Sequence, residues 1–362
     1  MRTTVDWRLF VPAFLISLSG LVTMNSFSGS GDFFHRQALW LLISVIAFFA
    51  ANAVDWRFLA RTKVLVTIYL AALGVLVLLF ILGSVSHGAQ SWFSLGNFAI
   101  QPSDPAKIIT ILVLAKYFSR RHIEIANVRH IIVSGIYALV VAVLVFLQPD
   151  FGGAVIIFGL WFGMVLVSGI SKKHLLAVSG IAIAVSACLW LFVFQPYQKA
   201  RILTFIHPLT DIHGAGYNAY QSTIAVGSGQ ILGKGIGLGS QSKLLFLPEY
   251  QTDFIFAAFA EEWGFMGTIL LLSLALVLLL RIVENARRAG SNFETLFGLG
   301  VAILFGIHIL IHAGMNMGLL PVTGIVFPFM SYGGSHLLTE WFTLGILSSM
   351  RKHSGTRLPD RS

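Results

Sequence analysis

Long apolar runs, interrupted by short polar stretches, dominate the chain. Ten of them lie near 9–27, 37–54, 64–82, 104–118, 131–147, 151–170, 175–194, 264–282, 296–317 and 336–350. A helix needs about 20 apolar residues to cross the hydrocarbon core of a bilayer, and barrel strands would instead alternate in short segments. The pattern predicts an all-α polytopic membrane protein. About ten transmembrane helices would form a single domain over 1–362, with one large loop, 195–263, between helices 7 and 8.

Composition supports that class, because 56% hydrophobic and 11% charged residues leave too little charge for the surface of a soluble domain. Most of the net charge of +9 is a topology signal. With the N-terminus inside, the segments 1–8, 55–63, 116–130, 171–174, 281–295 and 351–362 hold 18 of the 24 Lys and Arg residues, as the positive-inside rule requires. Both termini are then cytoplasmic and 195–263 is extracytoplasmic. No basic, aromatic-interleaved soluble module is present to bind nucleic acid. The apolar run of Met1 to Phe27 is long and no convincing small-residue cleavage site follows it, so it should remain as the first helix. Cys188 is the only cysteine and reads as a small core residue.

The breaks in the pattern are GAQSWFSLGNFAIQPSDPAK (88–107), QPDFGG (148–153), the mixed segment 195–263 and LLPVTGIVFPFMSYGGS (319–335). By the same count of spans all four are outside. Loops as long as 195–263 are uncommon without a function, and non-helical backbone at membrane depth is tolerated only where protein buries it or water reaches it. The prolines of these breaks (Pro102, Pro105, Pro149, Pro321 and Pro328) therefore predict a polar cavity open to the outside. Asp104, Asp150, Asp211, Glu249, Asp253, Glu261 and Glu262 share that geography, and ionisable residues near bilayer depth are candidates for function.

Asp253, in Thr-Asp-Phe-Ile-Phe, is about to enter an apolar layer. Desolvation there suits a general base, while a carboxylate capping a helix that starts near Thr252 is an equal alternative. Glu249 could share a helix face with it or sit in the loop after Pro248. Lys107 follows Asp104 by three, as a structural ion pair or as a phosphate contact with an acid partner. Asp150 after Pro149 suits either a turn or a site. Lys199 and Arg201 stand against the positive-inside trend, to meet an anionic phosphate or lipid headgroups. GSGQILGKGIGLGS (227–240) fails as a nucleotide loop, since Ser228 stands where the first glycine should be and Gly235 follows Lys234. It reads as a flexible segment that moves or lets backbone approach a ligand. His308 and His312, one turn apart, lack a third metal ligand and read as core or cavity hydrogen bonders. Gly159 and Gly163 hint at close helix packing.

In their order, GAQSW, QPSDPAK, QPDFG, PYQKARILTFIHP, the glycine segment, FLPEYQTDFIFA and GLLPVTGIVFPFMSYGGS resemble the SEDS family (shape, elongation, division and sporulation) across essentially all ten helices. The length, short N-terminus and FLPE…TDFIFA loop are more similar to its elongation branch than to its division branch. The resemblance implies a peptidoglycan glycosyltransferase that polymerises lipid II at the outer face of the bacterial cytoplasmic membrane. It implies as partners a class B penicillin-binding protein and other elongation-complex membrane proteins. It maps the family's essential acid onto Asp253, its acid and lysine pair onto Asp104 and Lys107, its QPD acid onto Asp150 and its loop arginine onto Arg201. The chain departs from the family pattern in three places: Asp104–Pro105 stands for the usual Glu–Leu, His336 for a Ser, and His312 for an Asn.

Polymerisation needs one sugar hydroxyl to attack the anomeric carbon of a second, lipid-linked sugar. The expected roles are Asp253 as base, and Arg201, Lys107 or a bound divalent cation (Mg or Mn) at the leaving pyrophosphate, with Lys199, Asp104, Asp150 and Glu249 in support. No other cofactor is expected. A lipid II flippase is the rival reading, but it should carry polar features on both faces, and a passive scaffold would not need the acid of the TDFIF motif.

Overall fold

The computed structural model describes residues 5–26, 31–86, 89–95, 98–120, 128–207, 216–244 and 246–353. Asp211 lies outside them. Among the described residues, ten helices of 17 residues or more follow the ten apolar runs: α1 (Trp7–Asn25), α2 (Gly31–Ala53), α3 (Thr62–Leu82), α4 (Ser103–Ser119), α5 (Val128–Leu147), α6 (Phe151–Val167), α7 (Lys172–Cys188), α11 (Ile255–Arg287), α12 (Asn292–Asn316) and α13 (Gly334–His353). Seven of the ten are long and apolar enough to cross a membrane; α4, α6 and α13 fall short of that measure. Both α4 and α13 carry buried charges.

The break at 88–107 is not helical. It forms a small antiparallel sheet, β1 (Ser84–Ser86), β2 (Ala89–Leu95) and β3 (Phe98–Ile100), in which Phe93 pairs with Ile100 and Leu95 with Phe98. The sheet is tied into the bundle at one end, where the Ser91 hydroxyl donates to the Gln148 carbonyl (3.1 Å) and the Gln101 N–H donates to Ser335 Oγ (3.1 Å).

Helix α12 lies among α4, α6, α9 (Tyr217–Ser228) and α11, and α13 packs along α2. Gly159 and Gly163 make the α6–α12 contact possible, since a Cβ at either would meet the side chain of Ile307 (3.1 Å) or Ile303 (2.7 Å). Helix α7 has no buried residue, and Ile183 and Phe192 are 71% and 82% exposed, a surface suited to lipid.

Among the described residues, segment 195–263 is packed structure more than loop. It holds α8 (Pro196–Ile206), α9, α10 (Ser240–Lys243) and the first two turns of α11, and buries Ala225, Leu247, Phe254 and Ala257 together. Helix α11 therefore begins nine residues before the apolar run at 264 and breaks at Gly264, where φ is +64°. A break frees backbone groups that must find partners elsewhere at membrane depth. The glycine segment supplies them. Phe265 and Met266 donate to the carbonyls of Gln230 and Ile231 (2.8 and 3.1 Å), and Lys234 and Gly235 donate to those of Glu261 and Glu262 (both 3.0 Å). A Cβ at Gly233 would lie 2.1 Å from the Glu262 carbonyl oxygen, so only glycine fits. The carboxylates complete the seam. Fully buried Glu261 takes the Lys234 ammonium (2.7 Å) and the Gln241 N–H (3.0 Å), and Glu262 takes the Gly237 N–H (2.7 Å). The expected flexible segment is thus a fixed one that approaches its own chain.

At the opposite end of the bundle, the Asp6 carboxylate accepts from Arg281 of α11 (3.1 Å), Asn285 (2.8 Å) and Arg351 of α13 (2.6 Å). Burial alone would raise its pKa, but these three hydrogen bonds outweigh burial and hold it below the ordinary 3.8.

Candidate active site

The sequence Pro-Glu-Tyr-Gln-Thr-Asp-Phe forms a turn leading into α11. Glu249 builds it. Its backbone is left-handed (φ +49°), its carbonyl accepts from the N–H groups of Thr252 (3.1 Å) and Phe254 (3.2 Å), and its carboxylate accepts the Thr252 hydroxyl (3.2 Å). The three carbonyls from Gln251 to Asp253 are each held from elsewhere in the chain. Gln251 accepts the Tyr332 N–H (2.8 Å), Thr252 the Ser331 hydroxyl (2.9 Å) and Asp253 the Asn316 side-chain amide (2.9 Å). Gln37 of α2 pins that segment in turn, donating to the Ser331 carbonyl (3.1 Å) and accepting from the Gly333 N–H (3.2 Å). The N-cap position of α11 falls on Phe254, one residue past Asp253.

Half-buried Asp253 faces the Pro-Val-Thr-Gly segment, and a Cβ at Gly324, itself at φ +73°, would lie 3.6 Å from Oδ2 of Asp253. The start of α6 reaches the same segment, since a Cβ at Gly152 would stand 2.6 Å from the Thr323 carbonyl oxygen. Three of the sequence's irregular breaks thus converge on one end of the bundle.

A second group lies between α4, α12 and α13. Asp104 Oδ1 takes the Lys107 ammonium (3.0 Å) and sits 3.2 Å from His336 Nδ1, while His336 Nε2 is 2.8 Å from Glu340 Oε1. Glu340 also accepts the Phe329 N–H (2.7 Å), and His308 stacks face to face on His336 at 5.4 Å. Asp150 joins at the margin by capping α6 through the Gly153 N–H (2.7 Å) and receiving Gln101 Nε2 (3.5 Å). The departure at 104 therefore keeps its lysine pair. The His336 imidazole reaches the same carboxylate.

Of the residues expected from sequence, Asp104, Lys107 and Asp150 meet in this group and Glu249 and Asp253 in the turn. Lys199 and Arg201 stand apart on α8, where Arg201 is exposed and the Lys199 ammonium lies 5.9 Å from the Trp190 ring centroid. His312 donates its Nδ1–H to the Ile325 carbonyl (2.6 Å), a buried hydrogen bond of the kind expected. Sequence reasoning missed Gln37, Asn316, Ser331 and Glu340. Glu340 was findable as an acid inside an apolar run; single polar residues such as Asn316 gave no signal. Among the described residues, no group of three or more His, Cys, Asp or Glu side chains is placed to hold a metal ion.

A bundle of this kind, with irregular backbone and acids gathered at one end, defines a multi-pass membrane protein with a built polar site rather than a scaffold. The sequence profile of the FtsW/RodA/SpoVE family, described as cell cycle proteins, matches residues 3–356, and the chain belongs to that family. Stage V sporulation protein E of Bacillus subtilis is 35% identical over 98% of both chains. Peptidoglycan glycosyltransferase MrdB of Escherichia coli K12 is 35% identical over 79% of this chain and 77% of its own. Among solved structures, a chain from work on the structural coordination of polymerization and crosslinking by a peptidoglycan synthase complex superposes with a TM-score of 0.83 at 30% identity, covering 97% of this chain and 98% of that one. The rod shape determining protein RodA of Thermus thermophilus superposes with a TM-score of 0.74 at 28% identity, covering 98% and 99%.

Proposed function

We propose that this chain is a peptidoglycan glycosyltransferase that polymerises lipid II into glycan strands at the outer face of the bacterial cytoplasmic membrane, with Asp253 as its general base. The enzyme class follows relatives that carry the name peptidoglycan glycosyltransferase at 35% identity. The elongation role rests on the RodA likeness. The single observation that carries the site is the Asp253 turn, whose three successive carbonyls are fixed from distant parts of the chain. A base must be held within hydrogen-bond reach of the proton it takes, and a fixed turn provides that.

In the reaction, the 4-hydroxyl oxygen of one lipid-linked sugar forms a bond to the anomeric carbon of another. The hydroxyl proton passes to the Asp253 carboxylate, and the bond from the anomeric carbon to the pyrophosphate oxygen breaks with its electron pair on the pyrophosphate. That leaving group departs as an anion, so a second acid is not required. The exposed Arg201, which the family resemblance names, is the cation we assign to receive it. Lys107 is buried against Asp104 within α4, and we assign the pair a structural role, with Asp104 reaching α13 through His336. The partner is a class B penicillin-binding protein that cross-links the product, a reading supported by the likeness to a peptidoglycan synthase complex.

The test is lipid II polymerisation by the purified protein in detergent. Asp253→Asn should lower the rate by about 10²- to 10⁴-fold, the range a positioned base supplies, with melting behaviour retained. Unchanged polymer from that variant would sink the base assignment. Absence of polymer from every well-folded preparation, alone or with its partner, would sink the enzyme reading.

A further inference from the structure

We propose that Asn316 is a positioning residue for this reaction, the group that sets where the Asp253 carboxylate sits; the proposal rests on the reading of Asp253 as base. Asn316 is the last residue of α12, fully buried where α9, α11 and α12 meet. Its side-chain amide acts in both directions. Oδ1 accepts the Ala257 N–H (3.1 Å), while Nδ2 donates to the carbonyl of Asp253 (2.9 Å) and to that of His312 one turn back (2.8 Å). Ser222 of α9 anchors it from behind, donating to the Asn316 carbonyl (2.9 Å). The flipped amide would set an oxygen against two carbonyls and an NH₂ against an N–H, so only this orientation satisfies the site.

A helix leaves its first N–H groups without intrahelical partners, and a polar N-cap side chain ordinarily takes one. Here the N-cap is Phe254, which has no side-chain acceptor, and Asn316 provides the cap to Ala257 from another helix. The same amide therefore grips the chain on both sides of the helix start. That fixes the point at which turn becomes helix, and with it the direction in which the Asp253 side chain leaves the backbone. Displacement of a catalytic group by about 1 Å can cost about 10²-fold in rate, so losing this grip should show in turnover.

The test uses the full-length protein in detergent with lipid II, measuring kcat, KM and melting temperature for N316A, D253E, D253N and the N316A/D253E double variant. We expect N316A to lower kcat about 10- to 100-fold while KM moves less than about threefold. In the D253E background, where the carboxylate has already left its place, N316A should cost less than about threefold more, because groups acting through one another are not additive. Should N316A not fold, N316Q keeps the amide but displaces it by a methylene and carries the same comparison. An equal loss in both backgrounds, or wild-type kcat per folded molecule, overturns the positioning role while leaving Asp253 as base. Wild-type turnover by D253N overturns the base reading itself.

Discussion

Asp104 and His336 are best understood as one adjustment. An aspartate is a methylene shorter than a glutamate, and at 104 it has the His336 imidazole 3.2 Å away, itself 2.8 Å from Glu340. Neither departure would be comfortable alone in a buried site, where an unpaired polar group costs free energy that no water returns. His336→Ser should therefore leave Glu340 and Asp104 short of a partner and destabilise the protein by about 1–3 kcal/mol, read as a lower melting temperature in detergent. Adding Asp104→Glu to it should recover part of that loss. Equal melting temperatures for His336→Ser and wild type would show that the two positions vary independently.

The kinked α11 and the glycine segment form one element in two pieces. Gly233→Ala would set a methyl group 2.1 Å from the Glu262 carbonyl oxygen at a backbone φ of +83°, and should not fold to a stable monodisperse protein. Glu261→Gln keeps the shape but removes the charge facing Lys234, and should cost about 3 kcal/mol by thermal melting. A small effect from both would mean the seam is dispensable. Most of the ten helices were legible because seven of them are long and apolar enough to cross a membrane, and the positions of Gly159 and Gly163 betrayed a helix contact. Glu249, Asp253 and the Asp104–Lys107 pair were legible as charges out of keeping with their surroundings. A helix starting near Thr252 was open as an alternative with Asp253 as its cap, but the true cap was not legible, because it arrives from Asn316, 59 residues from Ala257. Nor was the fixed glycine segment, whose partners are carbonyls on another element.

Across the whole molecule, charge is tied off at both ends of the bundle. Asp6 joins the N-terminus to α11 and α13 at the end away from Asp253. Its pKa lies below 3.8, so the unfolded chain binds a proton that the folded one refuses. The stabilisation is therefore fully present above the unfolded value and lost as pH falls through the lower, folded one. Compared with Asp6→Asn, the wild type should hold a constant advantage in melting temperature from about pH 7 down to about pH 5, and that advantage should shrink at lower pH. An advantage that grows on acidification would exclude this account.

The Asp253 turn depends on donors at 316, 331 and 332, and through them on Gln37. The ribosome makes residue 253 long before those donors exist. A nascent chain halted after α11 carries the acid but not the scaffold that aims it. On the proposed reading of Asp253 as base, a copy in the membrane should become competent only once residues 316–333 have been inserted, and chains ending before Asn316 should polymerise no lipid II.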